Sequence, residues 1–111
     1  MVASVATVDG VFRALSDPTR RDVIARLTRR PESVSALAEP FDMALPSLMQ
    51  HLGVLESSGL IRSTKTGRVR TYRLVPKRLQ VAEHWLAAQR DLWEHRMDQF
   101  ESFANSMEGE Q

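Results

Sequence analysis

Cysteine is absent from the 111 residues, and that omission removes disulfides, thiolate metal centres and cysteine nucleophiles together. It fits a reducing compartment. No apolar run approaches the length of a membrane span, and the opening Met1-Val2-Ala3-Ser4-Val5-Ala6 lacks the basic start of a secretory signal. A soluble, cytoplasmic protein with no membrane partner is the expectation. There is also no glycine-rich phosphate loop and no Ser/His/acid arrangement in a strand-turn-helix setting. Neither an enzyme nor a bound cofactor is expected. The length suits one domain with a single modest core.

The net charge of +1 hides a division along the chain. Residues 1–78 hold 13 Lys and Arg against 7 Asp and Glu, a balance of +6, and residues 79–111 hold 2 against 7, a balance of −5. A basic body that meets an anion and an acidic segment with another task would produce this pattern, although a small chain can be lopsided without purpose.

The stretch from Met43 to Ile61 organises the rest. Leu48, Leu52 and Leu55 recur at i, i+4 and i+7, which predicts a helix with one narrow apolar stripe leaning on a neighbour. With about 100° per residue, Pro46, Gln50 and Gly53 point away from that stripe, flanked by Ser47, Met49 and Ser57. Such a face is small and uncharged, where a solvated helix would carry Lys and Glu. Gln pairs bidentately with adenine, Ser meets several base edges, and small residues let a helix sit deep in the major groove. The DNA-reading candidates are therefore Leu45, Pro46, Ser47, Met49, Gln50 and His51, with His51 suited to a phosphate or backbone contact rather than to acid/base work.

In chain order, a short helix is expected over Val8–Leu15, with Val8, Val11, Phe12 and Leu15 on one side. Asp17-Pro18 starts a second, because Asp caps free backbone N–H groups and Pro is at home in the first helical position. Val23, Ile24 and Leu27 give that helix its buried face, and Arg29-Arg30-Pro31 ends it. Ser33 or Ser35 caps a very short third helix through Leu37 and Ala38, which Pro40 stops. The fourth helix begins near Ala44, since Pro46 is tolerated only in a first turn. Leu37 joins Leu48, Leu52 and Leu55 between the third and fourth helices. By itself this is an antiparallel helical hairpin that could serve packing alone.

Gly59 ends the fourth helix. Leu60–Lys65 and Arg68–Val75 then read as two strands about a Thr66-Gly67 turn, with Tyr72 and Leu74 tying the base to the helices. The tip carries Lys65, Arg68 and Arg70 and no acid, the chemistry of a wing that follows a phosphate backbone. Arg20 and Arg21 are further phosphate candidates, with an ordinary charged helix face as the alternative.

The run Leu45-Pro46-Ser47-Leu48-Met49-Gln50-His51-Leu52-x-Val54-Leu55-Glu56-x-x-Gly59-Leu60-Ile61 resembles the recognition helix of ArsR-type (ArsR/SmtB-like) winged helix-turn-helix regulators. So do Leu15-Ser16-Asp17-Pro18-Thr19-Arg20-Arg21 upstream and Thr66-Gly67-Arg68 with Tyr72-x-Leu74 downstream. The similarity runs in order from about Phe12 to Phe103. It implies a mainly α fold with a small β-hairpin wing, in the order α-α-α-α-β-β-α, paired as a homodimer through the terminal helices. It also implies repression of a promoter. Two positions depart from the family pattern: Ala44 stands where a capping Ser is usual, and Gly53 where Lys or Arg is common.

From Pro76 to about Met107 one long helix is expected, with residues 108–111 as a flexible tail and residues 8–75 as the DNA-binding body and wing. Its apolar positions recur at threes and fours and include both tryptophans. The core of the first four helices cannot cover them all, so the stripe calls for a partner surface, most simply a second copy. The expected interface comprises Val8, Val11, Trp85, Leu86, Gln89, Leu92, Trp93, Arg96, Met97 and Phe100. His84, His95 and Asp98 share a face and are similar to the dimer-helix metal motif of some relatives, but Ala82 stands where that motif has Asp; no metal is expected.

The expectation is thus a dimeric, sequence-specific binder of double-stranded DNA acting on an inverted repeat. Two alternatives stay open, a winged-helix module that binds protein instead of an operator and a metal-responsive repressor. The residues do not identify an effector.

Overall fold

The computed structural model describes residues 5–109. Five helices and three short strands follow in the order α1 (Val5–Leu15), α2 (Pro18–Arg29), β1 (Glu32–Ser33), α3 (Val34–Ala38), α4 (Leu45–Ser57), β2 (Ile61–Thr66), β3 (Val69–Leu74) and α5 (Pro76–Gly109). The expected mainly helical architecture with a hairpin holds.

Local chemistry accounts for the boundaries. Asp17 caps α2 by accepting a hydrogen bond from the Arg20 backbone N–H at 3.0 Å, with Pro18 as the first helical residue. Ser33, rather than Ser35, caps α3 through the Ala36 N–H at 3.2 Å. Ala44 occupies the cap of α4 and provides no side-chain hydrogen bond. Gly59 closes α4 at φ +81, where a Cβ would lie 2.7 Å from Nε of Arg78, so both the backbone and the space favour glycine.

The core is the meeting of these elements. Val11 and Ala14 of α1, Val23, Ile24 and Leu27 of α2, Leu37 of α3, and Leu48, Leu52 and Leu55 of α4 are all buried with Leu60, Ile61 and Tyr72. The joint expected between α3 and α4 is therefore present.

Three expectations need correction. The wing is part of a three-stranded antiparallel sheet of order β1-β3-β2, because Glu32 and Ser33 pair with Tyr72 and Thr71. A two-residue strand has no periodicity to read. Val11 is fully buried within its own chain and so cannot be a direct contact with a second copy; it faces the α1 side of the core. Finally, α5 continues through Glu108 and Gly109, inside the expected tail; residues 110–111 of that tail lie outside the described residues.

Most of α5 stands clear of the body. Ala82 is its one buried residue among those described, with Leu79 and Val81 packed against the core. The helix holds to α1 through an edge-to-face contact of Phe12 and Trp85, centroids 5.7 Å apart. Beyond it Leu92, Trp93, Met97, Phe100, Phe103 and Met107 are exposed, and the molecule is drawn out to 76 × 31 × 22 Å. No described helix is long and apolar enough to cross a membrane.

Candidate nucleic-acid interface

α4 presents the face its periodicity predicts. Leu48, Leu52 and Leu55 are inside, while Leu45, Pro46, Ser47, Met49, Gln50 and Gly53 are exposed. His51 is recessed on one flank. Its Nδ1 lies 3.2 Å from Nη1 of Arg20 and 3.7 Å from Oδ2 of Asp17.

That contact changes the reading of Arg20. Its Nε donates to the Ala14 carbonyl at 2.7 Å and its Nη2 to the Arg13 carbonyl at 3.1 Å. Beside it, Nη1 of Arg21 donates to the Leu15 carbonyl at 2.9 Å. These are the last carbonyls of α1, which have no partner within the helix and carry the negative end of its dipole. Arg20 therefore acts as a clamp joining the end of α1 to α4, a role that the expected phosphate contact did not include. Arg21 shares the capping but remains exposed. The Asp17 carboxyl is held below its ordinary range, first by the Arg20 backbone N–H, with help from the nearby His51 and Arg20 against a desolvation penalty.

The wing keeps its cations outward. Lys65, Arg68 and Arg70 are exposed, and Gly67 turns the hairpin at φ +62 as the first of two central residues, the glycine position of a type II′ turn. Register adds what the sequence reading missed. Lys65 faces Arg70 and Arg62 faces Arg73 across the strands. Directly opposed like charges destabilise a hairpin. Counting residues outward from the glycine turn would have exposed both pairs, and with them Arg62 and Arg73 as candidates.

Part of this charge is tethered. Arg70 Nη1 donates to Ser63 Oγ at 2.8 Å, and Ser63 Oγ donates to Oε2 of Glu56 at 3.4 Å, joining the wing to the last turn of α4. Arg73 Nη1 donates to Thr64 Oγ1 at 3.0 Å. Burial, and then the Glu56 carboxylate, raise the Tyr72 hydroxyl above the ordinary tyrosine value.

The remaining expected sites lie on α5. Trp85, Leu86, Gln89, Leu92, Trp93, Arg96, Met97 and Phe100 are exposed, and Val8 on α1 is half-buried. His84 and His95 are separated by eleven residues, about 16 Å along a helix, so one ion cannot take both from the same chain. Among the described residues no three His, Asp or Glu side chains converge as a metal site would require.

A family model described as a helix-turn-helix domain matches residues 15–64. The chain is 32% identical over 79 residues to the transcriptional repressor SdpR of Bacillus subtilis, a match covering 71% of this chain and 88% of that protein. Among solved structures, an ArsR family transcriptional regulator superposes with a TM-score of 0.80 at 52% identity, covering 85% of this chain and 97% of the other. The homodimeric winged helix-turn-helix DNA-binding domain of a possible ArsR-family regulator from Mycobacterium bovis superposes at 0.63 with 26% identity, covering 82% of each.

Proposed function

The chain belongs to the ArsR family of winged helix-turn-helix transcriptional regulators, and we propose that it represses as a two-fold dimer with two copies of α4 in major grooves of an inverted repeat. In this reading Leu45, Pro46, Ser47, Met49 and Gln50 meet base edges. The wing residues Lys65, Arg68 and Arg70, joined by Arg62 and Arg73, follow the phosphates, with Arg21 at the margin. Phosphate contacts set position and base contacts set sequence.

The observation that carries the proposal is the pairing of like charges across the wing. Lys65 against Arg70 and Arg62 against Arg73 weaken the hairpin in isolation and are relieved by an anion of matching spacing. DNA supplies a phosphate every few ångströms. The adjoining helix has no Lys or Arg of its own, so the two surfaces divide the task.

Pairing through α5 follows from the exposed apolar stripe. A helix of 34 residues extends about 50 Å, and a second antiparallel copy would cover Leu92, Trp93, Met97 and Phe100. Two-fold symmetry then sets half-site centres about 10 base pairs or a multiple apart.

The test is fluorescence anisotropy of duplexes taken from the DNA upstream of the gene, across a salt series. A repressor's log affinity falls against log salt with a slope of about −0.9 per neutralised phosphate. Absence of retention on every such duplex at low salt would favour a protein-binding winged helix, the reading that the uncapped Ala44 and interior Gly53 also permit.

A further inference from the structure

We infer that the leading end of α4 reads thymine methyl groups through Leu45 and Met49, with adenine as the target of Gln50, and that it has no cationic reader for guanine. The inference rests on the DNA-binding reading above and specifies what the face recognises.

Three observations lead there. First, between Leu45 and Ser57 the helix contains neither Lys nor Arg, and Glu56 is its one carboxylate. The commonest guanine contact is a cationic side chain bidentate to O6 and N7. None is available. Second, Leu45 is 53% exposed and Met49 39% exposed, one turn apart on the same flank. Large apolar side chains left in water beside polar Ser47 and Gln50 have a natural counterpart in the major groove, the thymine 5-methyl, which is the groove's apolar group. Third, this end of the helix is where recognition helices meet base edges, and the cations that would hold it against a duplex lie on the adjoining hairpin at Lys65, Arg68 and Arg70, all exposed.

The cap supports the same view. Ala44 gives the first turn no side-chain partner, Pro46 has no N–H, and the Ser47 and Leu48 N–H groups bond to the Ala44 carbonyl, so the Leu45 N–H is the donor of this turn open to a phosphate oxygen. Position would come from the backbone and wing, and discrimination from two apolar side chains and an amide.

Duplexes selected from a random pool by the full-length protein provide the test. Each thymine of a selected half-site is replaced singly by deoxyuridine, which removes only the methyl. Burial of one methyl corresponds to about a fourfold change in affinity, and that loss is expected at one or two positions per half-site. Leu45→Ala and Met49→Ala should each abolish the thymine-to-uracil difference at one position, while Met49→Leu should restore it. Because both side chains are exposed, the variants should keep the parent melting temperature. Gln50→Ala should erase the penalty for 7-deazaadenine, which lacks N7.

Selected half-sites built on guanine contacts, silent uracil substitutions throughout, or discrimination that survives in both alanine variants would each overturn the inference while leaving a salt-dependent regulator intact. Failure of any duplex to be enriched would instead remove the DNA-binding reading and this one with it.

Discussion

Nη1 of Arg20 on α2 lies 3.2 Å from Nδ1 of His51 on α4, across 31 positions of sequence. The same guanidinium holds the Arg13 and Ala14 carbonyls at the end of α1. One side chain thereby fixes α4 to the corner between the first two helices. Arg20→Ala should lower stability by about 1–3 kcal/mol, the range for stranded partly buried acceptors. It should weaken operator binding without changing the salt slope, since a clamp neutralises no phosphate. Urea melts and anisotropy at several salt concentrations read both quantities, and a slope that drops by about one would return Arg20 to the phosphate contacts.

Arg68→Ala and Arg70→Ala carry the contrasting expectation. Each should weaken binding to all sequences and reduce the magnitude of the salt slope by about 0.9. Arg70 leaves Ser63 to reach a phosphate, so Ser63→Ala should alter affinity less than Arg70→Ala does.

Asp17 makes the protein sensitive to acid. Its folded-state pKa is depressed, so the stability it contributes is present above the unfolded value of about 4 and is lost as pH falls through the folded value. Asp17→Ala should cost about 1 kcal/mol at neutral pH through the lost cap. Asp17→Asn should retain most of the cap and flatten the acid limb of a stability profile between pH 2 and 6.

Two substitutions should strengthen α4. A Cβ on Gly53 meets nothing within 4 Å, so Gly53→Ala should add about 1 kcal/mol from helix propensity. Ala44→Ser should add a similar amount by supplying the missing cap. By contrast Gly59→Ala should destabilise by about 1–2 kcal/mol or more, because φ is +81 and Arg78 occupies the space. Thermal melts of the three variants separate these cases.

Trp93→Glu should give monomers by sedimentation, since an added charge on the exposed stripe opposes burial against a second copy. Affinity for a full inverted repeat should fall much more than affinity for a half-site.

Much of this architecture was legible in one dimension. Leu48, Leu52 and Leu55 announce the buried side of α4 because helical periodicity is local, and Asp17-Pro18, Gly59 and Gly67 mark ends and turns through their own backbone preferences. The outward set of Pro46, Ser47, Met49 and Gln50 follows by subtraction. Other residues read differently in three dimensions. Val11 belongs to an apolar face in either setting, and periodicity does not say whether its own core or another copy covers that face. Arg20 looks like any basic residue near a helix start. Its role depended on which carbonyls at the end of α1 lay within its reach and on where the chain returned with His51. The strand at Glu32–Ser33 exists because β3 offers it an edge, and the like-charge pairs of the wing exist because of register. Short-range preferences chose the elements, whereas packing between distant segments decided which polar groups they left exposed.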